Sequence, residues 1–203
     1  MMTVLHLIHL KNSPIFEQLQ LEEALLRTDQ RNWCIVNEGS PSAIVMGISG
    51  KPEELIHEEK LSAIPVPVIR RFSGGGTVFV DENTFFVTFI CNASCIGIPP
   101  FPEAIMRWTE ELYRPLFLPH PFQLRENDYT IEEKKFGGNA QSICKHRWLH
   151  HSSLLWDYDS SNMEYLKIPN KAPNYRLKRS HDEFLCRLQD YWPKRDLFQE
   201  ALL

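Results

Sequence analysis

The sequence predicts an α+β fold: a mixed, largely antiparallel sheet with flanking helices. Three observations point to it. Short β-like runs follow one another in series, separated by turn residues. Helical periodicity stands before, between and after them. The length of 203 residues, with 43% hydrophobic and 24% charged residues, suits one globular domain able to bury its own core, so residues 1–203 are expected to form a single domain.

The elements are expected in this order. Ser13 and Pro14 read as a helix N-cap and first helical position, with Leu21, Ala24, Leu25 and Thr28 continuing at helical spacing, so 14–29 should be helix. "WCIVNEG" and "AIVMGIS" read as strands joined by "SPS", a hairpin signal. "KPEELIHEEKL" reads as one polar helix. "VPVIRR", "TVFV" and "FFVTFIC" read as strands, with turns at Gly74–Gly76 and Asp81–Asn83. Phe101 to Tyr113 should be helix, ended by Pro115. Asp128 to Asp159 reads as a meander turning near Glu132–Glu133 and Lys145–Arg147. A last helix should start at Ser180, where Glu183 completes a capping box and Phe184, Leu188 and Tyr191 share a face.

Composition excludes several classes. A net charge of −4 argues against a general nucleic-acid binder. No run approaches the ~18 apolar residues of a membrane span. The start "MMTVLHLIHLKNSPIF" has neither the basic n-region nor the long apolar core of a signal peptide. Five cysteines without a C-x-x-C pair predict neither a disulfide framework nor a zinc site. Reduced cysteines suit a cytoplasmic setting, or an organellar matrix if a transit peptide has been removed.

Three stretches stand out chemically. In "IRRFSGGGTVF", a hairpin would need at most two glycines, and three in a row also allow a close backbone approach and an anion-binding nest of N–H groups. Arg70 and Arg71 should point to opposite faces, one toward a ligand and the other toward an acid, and Ser73 adds a hydroxyl. The bland alternative is a loose turn. It is neither a P-loop nor a dinucleotide fingerprint. In "KKFGGNAQ", Lys134 and Lys135 alternate, so one can turn inward; the bland alternative is a bulged, solvated strand. In "RWLHHSSLLWDYD", His150 and His151 also face opposite ways. No partner is spaced to make His146 or His150 a metal ligand, and no metal site is expected.

In this order the stretches resemble the biotin/lipoate protein ligase family, in its lipoate–protein ligase A branch. The residues that carry the resemblance are Arg70 to Phe79 (RRFSGGGTVF), Asn127-Asp128, Lys135 to Ala140 (KFGGNA), His150-His151 and Leu154-Leu155-Trp156-Asp157, across nearly the whole chain. The resemblance implies a fold related to the cores of biotin ligase and class II aminoacyl-tRNA synthetases. It implies that lipoate or octanoate is activated with ATP to an acyl-adenylate, and that the acyl group passes to a lysine of a lipoyl domain. Lys135 matches the catalytic lysine. Arg71, Ser73, Gly74, Gly75, Gly76, Thr77, Gly138, Asn139, Ala140, His151 and Ser153 are the substrate-binding positions it implies, with Arg70, Asp128, His150 and Cys144 as secondary candidates. Mg²⁺ is expected with ATP, Asp128 in its neighbourhood. The implied acceptors are lipoyl domains of 2-oxoacid dehydrogenases or glycine-cleavage H protein.

The chain departs from the pattern in three places. Val80-Asp81 stands where many such ligases have His-Asp, and Ser152-Ser153 where Gly-Thr is usual. Bacterial relatives of full length carry a C-terminal accessory domain, for which a chain ending at Leu203 is expected to have no room. Two alternatives therefore stand beside the ATP-dependent ligase, which itself could work with a separate accessory subunit. One is a lipoyl or octanoyl transferase acting on a preformed acyl-AMP or carrier, with Cys144 as the first candidate for a thioester. The other is a non-catalytic lipoyl-binding subunit.

Overall fold

The computed structural model describes residues 4–203. Strand β1 (Leu5–Lys11) comes first, a strand not expected from the sequence. Helix α1 (Ile15–Thr28) begins later than the cap signal placed it. Pro14, not Ser13, is its N-cap. Its first donor is satisfied across space, Ile15 N–H donating to Ser40 Oγ at 3.0 Å.

Strands β2 (Asn32–Glu38) and β3 (Ala43–Met46) do not form the expected hairpin, because they belong to different sheets. β2 already has β1 on one edge, and Gly39 turns the chain out of the layer. Gly39 has φ +98°, and a Cβ there would meet Glu82 O at 2.8 Å. The single polar helix expected next is two, α2 (Pro52–Leu55) and α3 (Glu58–Ala63). Ile56 between them is buried and bridges to Leu166, which interrupts the helical ladder.

Then follow β4 (Val68–Arg70), β5 (Thr77–Val80), β6 (Thr84–Asn92), α4 (Ala93–Ile96) and α5 (Pro102–Tyr113). α5 passes into a 3₁₀ turn, Arg114–Phe117, at the expected proline. β7 (Phe122–Arg125), also not expected, leads into the meander β8 (Asp128–Ile131), β9 (Lys134–Ile143) and β10 (Arg147–Leu155). The meander turns where the sequence placed its turns. The chain closes with α6 (Ser160–Met163), α7 (His181–Phe184) and α8 (Arg195–Leu202). The capping box at Ser180 and Glu183 is present, but α7 lasts one turn, so Phe184, Leu188 and Tyr191 share no helical face. Leu185 instead bridges to Lys135, and Cys186 N–H donates to Lys135 O at 2.8 Å.

The large sheet has the order β1-β2-β6-β10-β9-β8-β7, antiparallel except for β1–β2. The small sheet has the order β4-β3-β5. One face of the large sheet packs aromatic residues such as Phe85, Trp148 and Phe136 against Ile105 of α5 and Phe198 of α8. The other face packs on α1 and the small sheet, through Phe86 with Ile15, Leu19, Val45 and Val80. Burial on both faces explains why β6 reads as a continuous apolar run.

Candidate active site

The three glycines do not turn a hairpin. β4 and β5 are the two edges of the small sheet, with β3 between them, so residues 71–76 must cross the end of β3. The crossing is made at Gly47, where a Cβ would lie 2.1 Å from Gly75 O. Gly75 itself has φ +125°. Arg71, buried, donates through Nη2 to Gly74 O at 3.3 Å and Gly76 O at 2.8 Å, tying the loop from inside. Burial pushes its pKa down to about 10, so it stays cationic at neutral pH. Among the described residues nothing accepts the N–H groups of Gly75 and Gly76, which leaves two adjacent donors for an anion.

Arg70 does point away from Arg71, but no acid among the described residues meets it. Its Nη1 donates to Ile48 O at 3.1 Å and to Gly50 O. Ser73 is buried and does not line the cavity; its carbonyl accepts from Ile48 N–H, so it shapes the loop rather than facing a ligand.

A β-bulge chooses between the two lysines. Asp128 pairs with Gly138 and Tyr129 with Gly137, but Thr130 pairs with Lys135, so Phe136 is the extra residue. Strict alternation would set Lys135 opposite Gly138 and Ala140. The bulge brings it to their face and drops Phe136 into the aromatic core. Lys135 Nζ then lies 3.3 Å from where a Gly138 Cβ would stand, and 2.8 Å from Asp128 Oδ1. Asp128 Oδ2 accepts from Tyr175 O–H at 2.8 Å. Asp128 is thus held between Lys135 and Tyr175. Among the described residues no group of three or more His, Cys, Asp or Glu is placed to hold a metal.

The adjacent histidines divide as alternation requires. His151 lines the cavity, and its Nδ1 lies 2.9 Å from Glu22 Oε1, a carboxylate 0% exposed. The carboxylate fixes the orientation of the ring through Nδ1 and turns Nε2 away from it. His150 faces the other way and is outside the cavity. It sits among Thr109, Tyr129, Gln141 and Ser152, and burial pushes its pKa down to about 3, so it is a neutral core residue. Cys144 stands exposed on the β9–β10 turn, also off the cavity.

The cavity enclosed is about 670 Å³. It gathers Arg71, Gly74, Gly75, Gly76, Thr77, Asp128, Lys135, Gly138, Asn139, Ala140, His151 and Ser153. Its apolar part includes Ile15, Val45, Val78, Val80 and Phe86. Sequence reasoning missed Gly47, Glu22, Tyr175 and Arg176. For Glu22 no signal existed, since it is one acid among several on α1.

An apolar channel beside fixed cations and free N–H donors can hold a fatty carboxylate while negative charge develops at its head. Comparison with known proteins agrees. Residues 14–202 match the family described as Lipoyl protein ligase A/B catalytic domain. A Plasmodium falciparum protein described as "Inactive lipoate--protein ligase 2" is 26% identical over 90% of this chain and 62% of its own length. A Mycoplasma genitalium protein described as "Probable lipoate-protein ligase A" is 31% identical over 89% of this chain and 56% of its own. The chain thus spans less than two thirds of the length of these curated relatives. Among solved structures, one described as "Structural analysis of an archaeal lipoylation system. A bi-partite lipoate protein ligase and its E2 lipoyl domain from Thermoplasma acidophilum" superposes with a TM-score of 0.82. It is 20% identical, with 99% of this chain and 81% of that one covered.

Proposed function

This chain belongs to the lipoyl protein ligase A/B catalytic domain family, and we propose that it joins lipoate or octanoate to a lysine of a lipoyl domain through an acyl-adenylate made from ATP. The observation that carries the reading is the bulge in β9, which turns Lys135 into the cavity beside Gly138 and Ala140. The carboxylate oxygen attacks the α-phosphorus, the bond to the β-phosphate breaks, and pyrophosphate leaves with the electron pair. The acceptor amine then attacks the acyl carbon, AMP leaves, and the amine's extra proton passes to solvent. Lys135 opposes the charge that grows in both steps. The Gly75 and Gly76 N–H groups supply further donors. Mg²⁺ arrives as part of the substrate, bound to the nucleotide phosphates. The partners are lipoyl domains of 2-oxoacid dehydrogenases or glycine-cleavage H protein, and a separate accessory subunit could assist adenylation.

Lys135, whose amine is turned into the cavity rather than into the core, favours an enzyme over a binding subunit. The P. falciparum relative shows that membership alone does not confer activity. The thioester alternative lacks support, because among the described residues no cysteine lines the cavity. Lipoate-dependent exchange of labelled pyrophosphate into ATP tests adenylation. The wild-type chain is expected to catalyse it and Lys135→Ala to lose it while melting normally. Near wild-type exchange in Lys135→Ala would sink the mechanism.

A further inference from the structure

The cavity has a cationic wall that the glycine loop does not explain. Lys171 and Arg176 line it from the segment between α6 and α7, with the imidazole of His181, the first residue of α7, beside them. This strap is fastened to the β7–β8 turn: Asn174 N–H and Tyr175 N–H donate to Glu126 Oε1 at 2.7 and 3.4 Å, and Tyr175 O–H holds Asp128. Leu177 and Lys178 both take left-handed backbone conformations, φ 52° and 61°. That turn folds the strap on itself, so that Arg176 Nε donates to Arg179 O at 3.0 Å and Arg179 Nε to Arg176 O at 3.1 Å.

Arg176 is 5% exposed, yet it makes no ion pair among the described residues, and its Nη2 is buried with no acceptor. Its guanidinium lies 4.8 Å from the Phe184 ring centroid. Burying a cation without an anion is expensive, and an orphaned buried donor calls for a missing acceptor. Asp128, the carboxylate nearest in charge effect, is already spent on Lys135 and Tyr175. His181 feels the charge of both Arg176 and Lys135, so the three basic groups converge on one region. Burial and those charges lower His181 to about 4, which leaves it neutral at pH 7 and free to donate or accept.

We propose that Arg176 is a phosphate-binding residue, its guanidinium taking phosphoryl oxygens of the nucleotide. This deepens the adenylating reading and rests on it. A planar guanidinium matches phosphate oxygens in pairs, and unlike Lys135, which is paired with Asp128, this one has no anion among the described residues.

Calorimetric titration of the wild-type chain, Arg176→Met and Arg176→Lys with Mg·ATP, lipoate and lipoyl-AMP tests it. Methionine keeps the stem against Phe184 and removes the charge. Losing a charged hydrogen bond should weaken ATP binding about 10- to 100-fold. Lipoate binding should be unchanged, and lysine should recover part of the ATP loss. If lipoyl-AMP weakens as well, the guanidinium holds the α-phosphate; if ATP alone weakens, it holds the pyrophosphate end. Either upholds the site. Where the methionine variant melts early, the lysine variant carries the test: reduced ATP affinity with intact lipoate affinity supports the site, and equal loss of both overturns it. Wild-type ATP affinity in Arg176→Met overturns the site and leaves the ligase reading standing. A wild-type chain that binds neither ATP nor lipoyl-AMP overturns both.

Discussion

Replacing Gly47 by alanine tests how the glycine loop is held. The new Cβ would stand 2.1 Å from Gly75 O, 3.1 Å from Gly75 C and 3.3 Å from Gly75 N, against a practical floor of 3.0 Å. The loop must therefore retreat by about 0.9 Å, the difference between 3.0 and 2.1 Å. Every contact is backbone, so no side chain can swing aside. The retreat stretches Gly47 N–H to Gly76 O, now 3.2 Å, Gly74 N–H to Gln141 O, now 3.2 Å, and Arg71 Nη2 to Gly76 O, now 2.8 Å. Overpacking of this kind costs about 1–3 kcal/mol. For a chain of this size that lowers the melting temperature by about 2–12 °C. Displacing a substrate-facing loop by about an ångström should cost on the order of 100-fold in acyl transfer. Thermal melting and a transfer assay on Gly47→Ala read both effects. Wild-type melting together with wild-type transfer would refute the crossing and its role.

Gly76→Ala separates the other reason for a glycine. Nothing lies within 4 Å of its Cβ direction, so melting should stay at the wild-type value while acyl-adenylate binding weakens; a drop in melting temperature would contradict the open space. Tyr175→Phe removes the hydroxyl from Asp128 and should cost about 1 kcal/mol of stability. It should also raise proteolytic nicking of residues 167–180, and an unaltered digestion pattern would count against the strap's latch. His150 and His181 are held neutral, at about 3 and about 4, whereas the unfolded chain binds their protons near 6.5. The unfolded state therefore binds more protons between these values. Stability from these histidines is complete above pH 6.5 and falls as the pH drops toward 3, by up to about 1.4 kcal/mol per pH unit for each. His150→Gln should flatten part of that slope in denaturation curves taken from pH 7 to pH 4; parallel curves would show that His150 carries none of it.

Much of this was legible in the residues. The meander, α5 and the capping box at Ser180 follow from local signals, and these elements are set by neighbours in the chain. The failures are long-range. The "SPS" connection looks like a hairpin because turn chemistry cannot say which sheet the next strand joins. β1 escaped notice because a half-exposed edge strand has weak apolar contrast. In the site, most of the residues that the resemblance named line the cavity. The motifs could not tell Ser73 from its neighbours, because the loop's carbonyl bonds turn its side chain out of the cavity. They could not see the bulge that decides between Lys134 and Lys135, since a bulge is a property of the pairing with β8. Nor could they find Arg176, whose meaning lies in the acceptor it lacks.

The most direct measurement is the intact mass of an apo lipoyl domain after incubation with this chain. One tube holds lipoate, ATP and Mg²⁺; a second holds lipoyl-AMP alone. The account predicts a gain of one lipoyl group in both tubes, with Lys135→Ala producing neither. A gain only in the second would assign adenylation elsewhere and leave transfer to this cavity. No gain in either tube would contradict the claim that this cavity moves an acyl group to a lysine.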